Sequence, residues 1–84
     1  MTYYFIVNLD GCGDSALFWK PNESGYTNDI GWAGVYDEKE TKGILGLRPG
    51  HDAAILVSTV KRYAVQVLPN KLVRELASDS DINL

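Results

Sequence analysis

The side chains that could carry chemistry are few and far apart. The chain holds one cysteine and one histidine, Cys12 and His51. A thiol beside an imidazole can act as nucleophile and base, but it also needs a group to orient the base and an oxyanion site. Cys12 lies between Gly11 and Gly13, with Asp10 and Asp14 just outside them. Those carboxylates oppose a thiolate, which requires an electropositive setting. A turn cysteine and a loop histidine are the plainer reading. One Cys and one His do not make a zinc set. Asp10, Asp14 and Asp29 could offer oxygen to a hard cation, yet "DGCGD" is too short for an EF-hand loop and lacks its closing Glu. Gly11, Gly13 and Gly25 fit neither the phosphate-loop nor the dinucleotide pattern. We therefore expect no catalytic set, no metal and no cofactor.

The aromatic residues are better placed to act. Residues 24–36, "SGYTNDIGWAGVY", hold three glycines, Tyr26, Trp32 and Tyr36 around one acid, Asp29. Trp19 precedes them. Such rings can stack on bases, fill a core or anchor a protein interface. Base stacking needs a basic groove, and the only adjacent basic pair is Lys61-Arg62, so nucleic acid is not an expected partner. Core packing takes most of these rings. Those left outside, beside Asp29 and other acids, would form a binding patch.

Composition bounds the rest. Eighty-four residues make one domain, here residues 1–78 with a frayed tail at 79–84. A hydrophobic share of 45% with two Trp, five Tyr and two Phe supports a real core. The net charge of −3 fits a solvated surface. A lone cysteine makes no internal disulfide. The first residues carry no basic leader segment, and no run approaches the roughly 18 apolar residues of a membrane span. A cytoplasmic protein is expected.

These residues must be positioned by short elements. Residues 3–9 are aromatic and β-branched and predict a strand that stops at the turn cluster 10–14. Residues 15–20 predict its hairpin partner, with Ala16, Phe18 and Lys20 on one side and Leu17 and Trp19 on the other. Residues 21–25 form a loop, and 26–35 follow neither period. Asp37 with Glu40 resembles a capping box, starting a helix over 38–45 that Gly46 ends. Residues 47–52 predict a turn, 53–57 a strand, and 58–62 a polar connection or one helical turn. Residues 63–68 alternate as a half-buried strand. Pro69 suits the first turn of a helix over 70–77, with Leu72, Val73 and Leu76 at helical spacing. The sum predicts an α+β fold: a small antiparallel sheet of three to four strands with two short helices, covered on one face.

The stretch Phe18-Trp19, Pro21-Asn22, Gly25-Tyr26-Thr27, Asp29-Ile30, Ala33-Gly34 and Tyr36, followed by an acidic helix start, resembles a GYTxD[IL]xxAGxY pattern in small bacteriophage and prophage proteins. The resemblance covers about two-thirds of the chain and carries no catalytic residues. It implies a small accessory protein of a phage or mobile element in a bacterial host. Such a protein is expected to act by binding a host protein complex, most plausibly inhibiting a defence complex such as a CRISPR effector. Its expected partner surface is Trp19, Tyr26, Asp29, Trp32, Asp37, Glu38 and Glu40, acids beside aromatics, suited to a basic channel. One alternative is a small-molecule or signalling-nucleotide binder, with Lys20, Arg48 and Lys61 converging. Another is a homo-oligomeric phage protein whose 63–68 strand pairs across a two-fold. An enzyme is not expected.

Overall fold

A computed structural model describes residues 2–11, 13–63 and 65–79 of the chain. Its centre is β1 (Tyr3–Asn8), buried at every position after the first. A strand apolar in both directions, as Tyr4-Phe5-Ile6-Val7 is, needs cover on both faces. It receives cover on both faces and pairing on both edges. β5 (Asp52–Leu56) runs antiparallel along one edge, from Asn8↔Asp52 to Tyr4↔Leu56. The other edge is divided. β2 (Leu17–Trp19) pairs with Val7 and Asn8, and β4 (Tyr36–Asp37) pairs with Tyr3 and Tyr4. β3 (Tyr26–Thr27) adds outside β2. The result is a curled antiparallel sheet in an α+β fold.

The two faces hold separate cores. Phe5, Val7, Phe18 and Ile55 lie on the first face, with Phe5 and Phe18 meeting edge to face at 5.9 Å. Over them pack Val60 of α2 (Val57–Lys61), Leu68, and Val73 of α3 (Asn70–Asp79). Ile6, Trp19 and Tyr36 lie on the second face, under Ile44 of α1 (Glu38–Leu47). The alternation of residues 16–19 is thus realised: Ala16 and Phe18 enter one core and Trp19 the other. The expectation of cover on one face is corrected, because β1 has no polar side to leave in water.

The capping box forms. Glu40 N–H donates to Asp37 Oδ1 at 2.8 Å, and Asp37 N–H donates to Glu40 Oε1 at 3.1 Å. The helix passes through Gly46 to Leu47 rather than stopping before it. Of the two readings of residues 58–62, the helical turn is the one that forms, as the short helix α2 over Val57–Lys61.

Residues 63–68 do not form the expected strand. No strand lies between α2 and α3 among the described residues. Among the described residues, the backbone there makes single bonds to three different partners: Tyr63 N–H donates to Val60 O at 3.1 Å, Ile30 N–H to Gln66 O at 2.7 Å and Ala16 N–H to Leu68 O at 2.8 Å. Both edges of β1 are taken by β2, β4 and β5, and among the described residues the segment joins no other strand. Its alternation does not survive as burial: Leu68 is enclosed, while Tyr63, Val65, Gln66 and Val67 are all exposed. The oligomer reading thereby loses its edge strand. Of the expected tail, Asp79 is the last residue of α3, and residues 80–84 lie outside the described residues.

The irregular stretch 20–36 is a clamp. Gly34 N–H donates to Trp19 O at 2.8 Å, and Lys20 N–H donates to Gly25 O at 2.8 Å. The Tyr36 hydroxyl accepts from Glu23 N–H at 3.2 Å and donates to Lys20 O. It thereby holds Asn22 and Glu23, both left-handed with φ of 59° and 57°, a conformation such residues keep only when their surroundings impose it. Gly34 is required by space. A Cβ there would lie 2.8 Å from the Tyr36 ring and 2.9 Å from the Lys20 backbone. Gly34→Ala should therefore destabilise the fold by about 1–3 kcal/mol. Gly43→Ala, in helix α1 with nothing within 4 Å of the new methyl, should stabilise it by about 0.5–1 kcal/mol. Urea midpoints of the two variants check both signs.

Candidate functional site

Four titratable side chains, Asp10, Arg48, His51 and Asp52, form a connected cluster at the start of β5. The Asp52 carboxylate at the start of β5 is fully buried. It accepts from Arg48 Nη2 at 2.6 Å, from Arg48 Nε at 3.1 Å and from Trp19 Nε1 at 3.0 Å. Arg48 also reaches Asp10 at 3.3 Å, and His51 Nδ1 lies 2.9 Å from the same Asp10. Asp10 is held below the usual carboxylate range, first by the hydrogen bond from His51 and then by the charges of His51, Arg48 and Arg74. Arg48 is pushed further up by its bonds to Asp52. Every strong donor here already has its acceptor, so the cluster reads as a fastening between β5, β2, α1 and the β1–β2 turn. Cys12, the other half of the thiol–imidazole pair, lies outside the described residues. No cluster of metal-ligating side chains occurs among the described residues.

The expected partner residues are dispersed. Trp19 is 8% exposed, with its indole nitrogen bound to Asp52. The structure removes it from any docking surface, because its ring completes the second core. Tyr26 is half-exposed and meets Trp19 edge to face at 5.4 Å, which keeps it on that second face. Asp29 accepts from Gly31 N–H at 2.8 Å and caps the single turn Ile30–Trp32. Asp37 and Glu40 serve the capping box, and Glu38 pairs with Lys42 at 3.7 Å. The acids thus have local partners. Lys61 and Arg48 sit on opposite faces of the sheet, so the cations proposed to hold a phosphate do not converge.

Trp32 is different. It is 69% exposed and is flanked by Gly31 and Ala33, which line a groove on the first face. That groove, about 510 Å³, has Phe5, Ile30, Val60 and Val65 in its walls. A second, about 670 Å³, is walled by Tyr3, Leu56 and Val57. The two share Val35 and Lys61. They arise because α2 and α3 cover the sheet around Phe5, Val7 and Ile55 and leave its Tyr3–Leu56 end open. The side chain of Tyr3 points to the same face as Phe5 and Val7, so this open end continues the core. Tyr3, Val35 and Val65 stand 43%, 51% and 48% exposed. Of these residues the sequence marked only Trp32. Val35 sits inside the signature stretch, and Lys61 belongs to the only adjacent basic pair, but neither signal says that the two meet.

No protein-family model matches the chain, and no curated protein or solved structure matches it either. Among the described residues, no helix is long and apolar enough to cross a membrane.

Two outcomes test this account of the polar cluster. Trp19→Phe keeps a ring in the second core but withdraws a donor from the buried Asp52, and should lower stability by about 1–3 kcal/mol. The remaining Trp32 should then emit as a water-exposed indole. For Asp10, the pairing lowers the folded-state pKa, so its stabilisation is present above the unfolded value and is lost as pH falls through the folded one. The stability gap between wild type and Asp10→Asn should therefore persist above about pH 4 and shrink below it, as read by urea midpoints along the acid limb.

Proposed function

We propose that this chain works by binding another protein through the open end of the first sheet face. The observation that carries the reading is the exposure of Tyr3, Val35 and Val65 around two adjoining grooves that share Val35 and Lys61, with the exposed Trp32 next in the chain to the groove-lining Gly31 and Ala33. Aromatic and aliphatic anchors around a hollow are the parts of an interface that contribute most to affinity. A contiguous exposed apolar patch on a small domain is costly unless something covers it. The polar cluster on the opposite face has its donors and acceptors matched, so it offers a partner little to bind.

The resemblance to phage and prophage proteins supports a finer reading. The partner would be a host protein complex in the bacterial cytoplasm, and its inhibition, as of a defence complex such as a CRISPR effector, would be the outcome. A small rigid domain with one adhesive face suits blocking a larger machine by occupying it.

Variants on the two faces separate this reading from one based on the acidic helix start. Val35→Asp and Trp32→Ala are surface changes, expected to move stability by no more than about 0.5 kcal/mol. Both should abolish co-purification of the partner from host lysate, while Glu38→Lys retains it. Retention by Val35→Asp together with loss in Glu38→Lys would move the interface to α1. Native mass measurement reports whether the partner is instead a second copy of this chain.

A further inference from the structure

We infer that the segment seated on this face carries an acidic side chain between two bulky apolar ones, and that Lys61 selects it. The inference rests on the docking reading above and specifies the chemistry of the partner. Lys61 closes α2 and lies between the two apolar hollows, lining both together with Val35. No Asp or Glu lines either hollow. Asp29, the acid nearest in the chain to Gly31, is turned to the Gly31 amide as its cap. Lys61 takes part in none of the ion pairs among the described residues, whereas Arg48 and Lys42 are each held by a carboxylate.

An ammonium in this position decides what can dock. A purely apolar segment laid across both hollows would strip water from Lys61 and give nothing back. Removing a charge from water without a partner costs far more than the contact returns. A segment with a carboxylate at the saddle replaces the lost water with a charge-assisted bond. A basic segment is rejected by like charge. The four methylenes of Lys61 can lie against Val35 and Val57 while the charged head meets the acid. The face is thus apolar with a positive centre on a chain of net charge −3, which directs it to an acidic-apolar segment and away from a basic channel.

The test uses fluorescein-labelled, end-capped peptides in which Leu and Phe flank a central Glu at varied spacing, with Gln and Lys counterparts. Binding to the full chain is read by fluorescence anisotropy. The best Glu peptide should bind about tenfold more tightly than its Gln counterpart, and the Lys peptide should bind worst. Added salt should weaken the Glu peptide and leave the Gln peptide nearly unchanged. Lys61→Met, which keeps the stem and removes the charge, should bring the Glu peptide to the Gln level at unchanged melting temperature. Equal binding of the Glu and Gln peptides, or a Glu preference that persists in Lys61→Met, would overturn the inference. If that charge-blind binding is still lost in Val35→Asp, the docking face stands and only the acidic partner falls. Failure of every peptide to bind wild type counts against both.

Discussion

The carboxylate of Asp52 is wholly withdrawn from solvent, and much of the second face is arranged around keeping it paired. A buried charge is tolerated only with hydrogen-bonded partners of opposite sign or strong donors. Asp52 has both, the fork of Arg48 and the indole of Trp19. These partners come from the end of α1 and from β2, while Asp52 itself begins β5. Through Arg48 the knot extends to Asp10 and then to His51. One buried acid therefore ties residues 48–52 to Trp19 and, through Arg48 and His51, to Asp10. This gathering of charge and hydrogen bonds fastens the fold and takes up the only histidine and its carboxylate.

The first face follows a different rule. Among the described residues it has no buried charge, and it is held by aliphatic and aromatic packing under α2, Leu68 and α3. Helical cover is uneven there. α2 is a single short helix, and the segment after it is spent reaching Leu68 into the core and meeting Ile30 and Ala16 by single backbone bonds. The sheet end at Tyr3 and Leu56 is left open as a result. A rigid strand pair with an unfinished apolar cover is a preformed surface, so little ordering has to accompany binding. Function on this face would come from what the fold leaves uncovered.

Charge is distributed in keeping with this division. The acids that seemed fit for a partner are occupied close to home: Asp37 and Glu40 in a capping box, Asp29 over one helical turn, Glu38 beside Lys42. Such local engagements stabilise the elements that carry the residues. They also leave Lys61 as the charge at the centre of the exposed apolar face, the reverse of an acid-rich patch.

Much of the architecture was legible in the residues themselves. The β1 run, its hairpin with β2, the split of Phe18 from Trp19, the capping box at Asp37 and the amphipathic helix after Pro69 all follow from local pattern, because alternation, capping and fixed φ act over a few residues. Residues 26–35, which follow neither period, hold the two-residue strand β3 and a single helical turn, and Gly34 proves to be a matter of space against Tyr36 and Lys20. Residues 63–68 show the limit. Their alternation asks for a ladder, but the edges of the central strand are taken by β2, β4 and β5, and the segment is held instead by single bonds to Ile30 and Ala16. Exposure is likewise set by the whole chain. Trp19 and Trp32 are the same residue type 13 positions apart, one 8% and the other 69% exposed. The difference lies in Asp52 and α1, which enclose the first, while the second ends the single surface turn Ile30–Trp32 and enters neither core. Sequence alone determined which elements form, since those forces are local. Only the tertiary structure decided which aromatics, and which single lysine, face outward together, since that depends on contacts made between segments far apart in the chain.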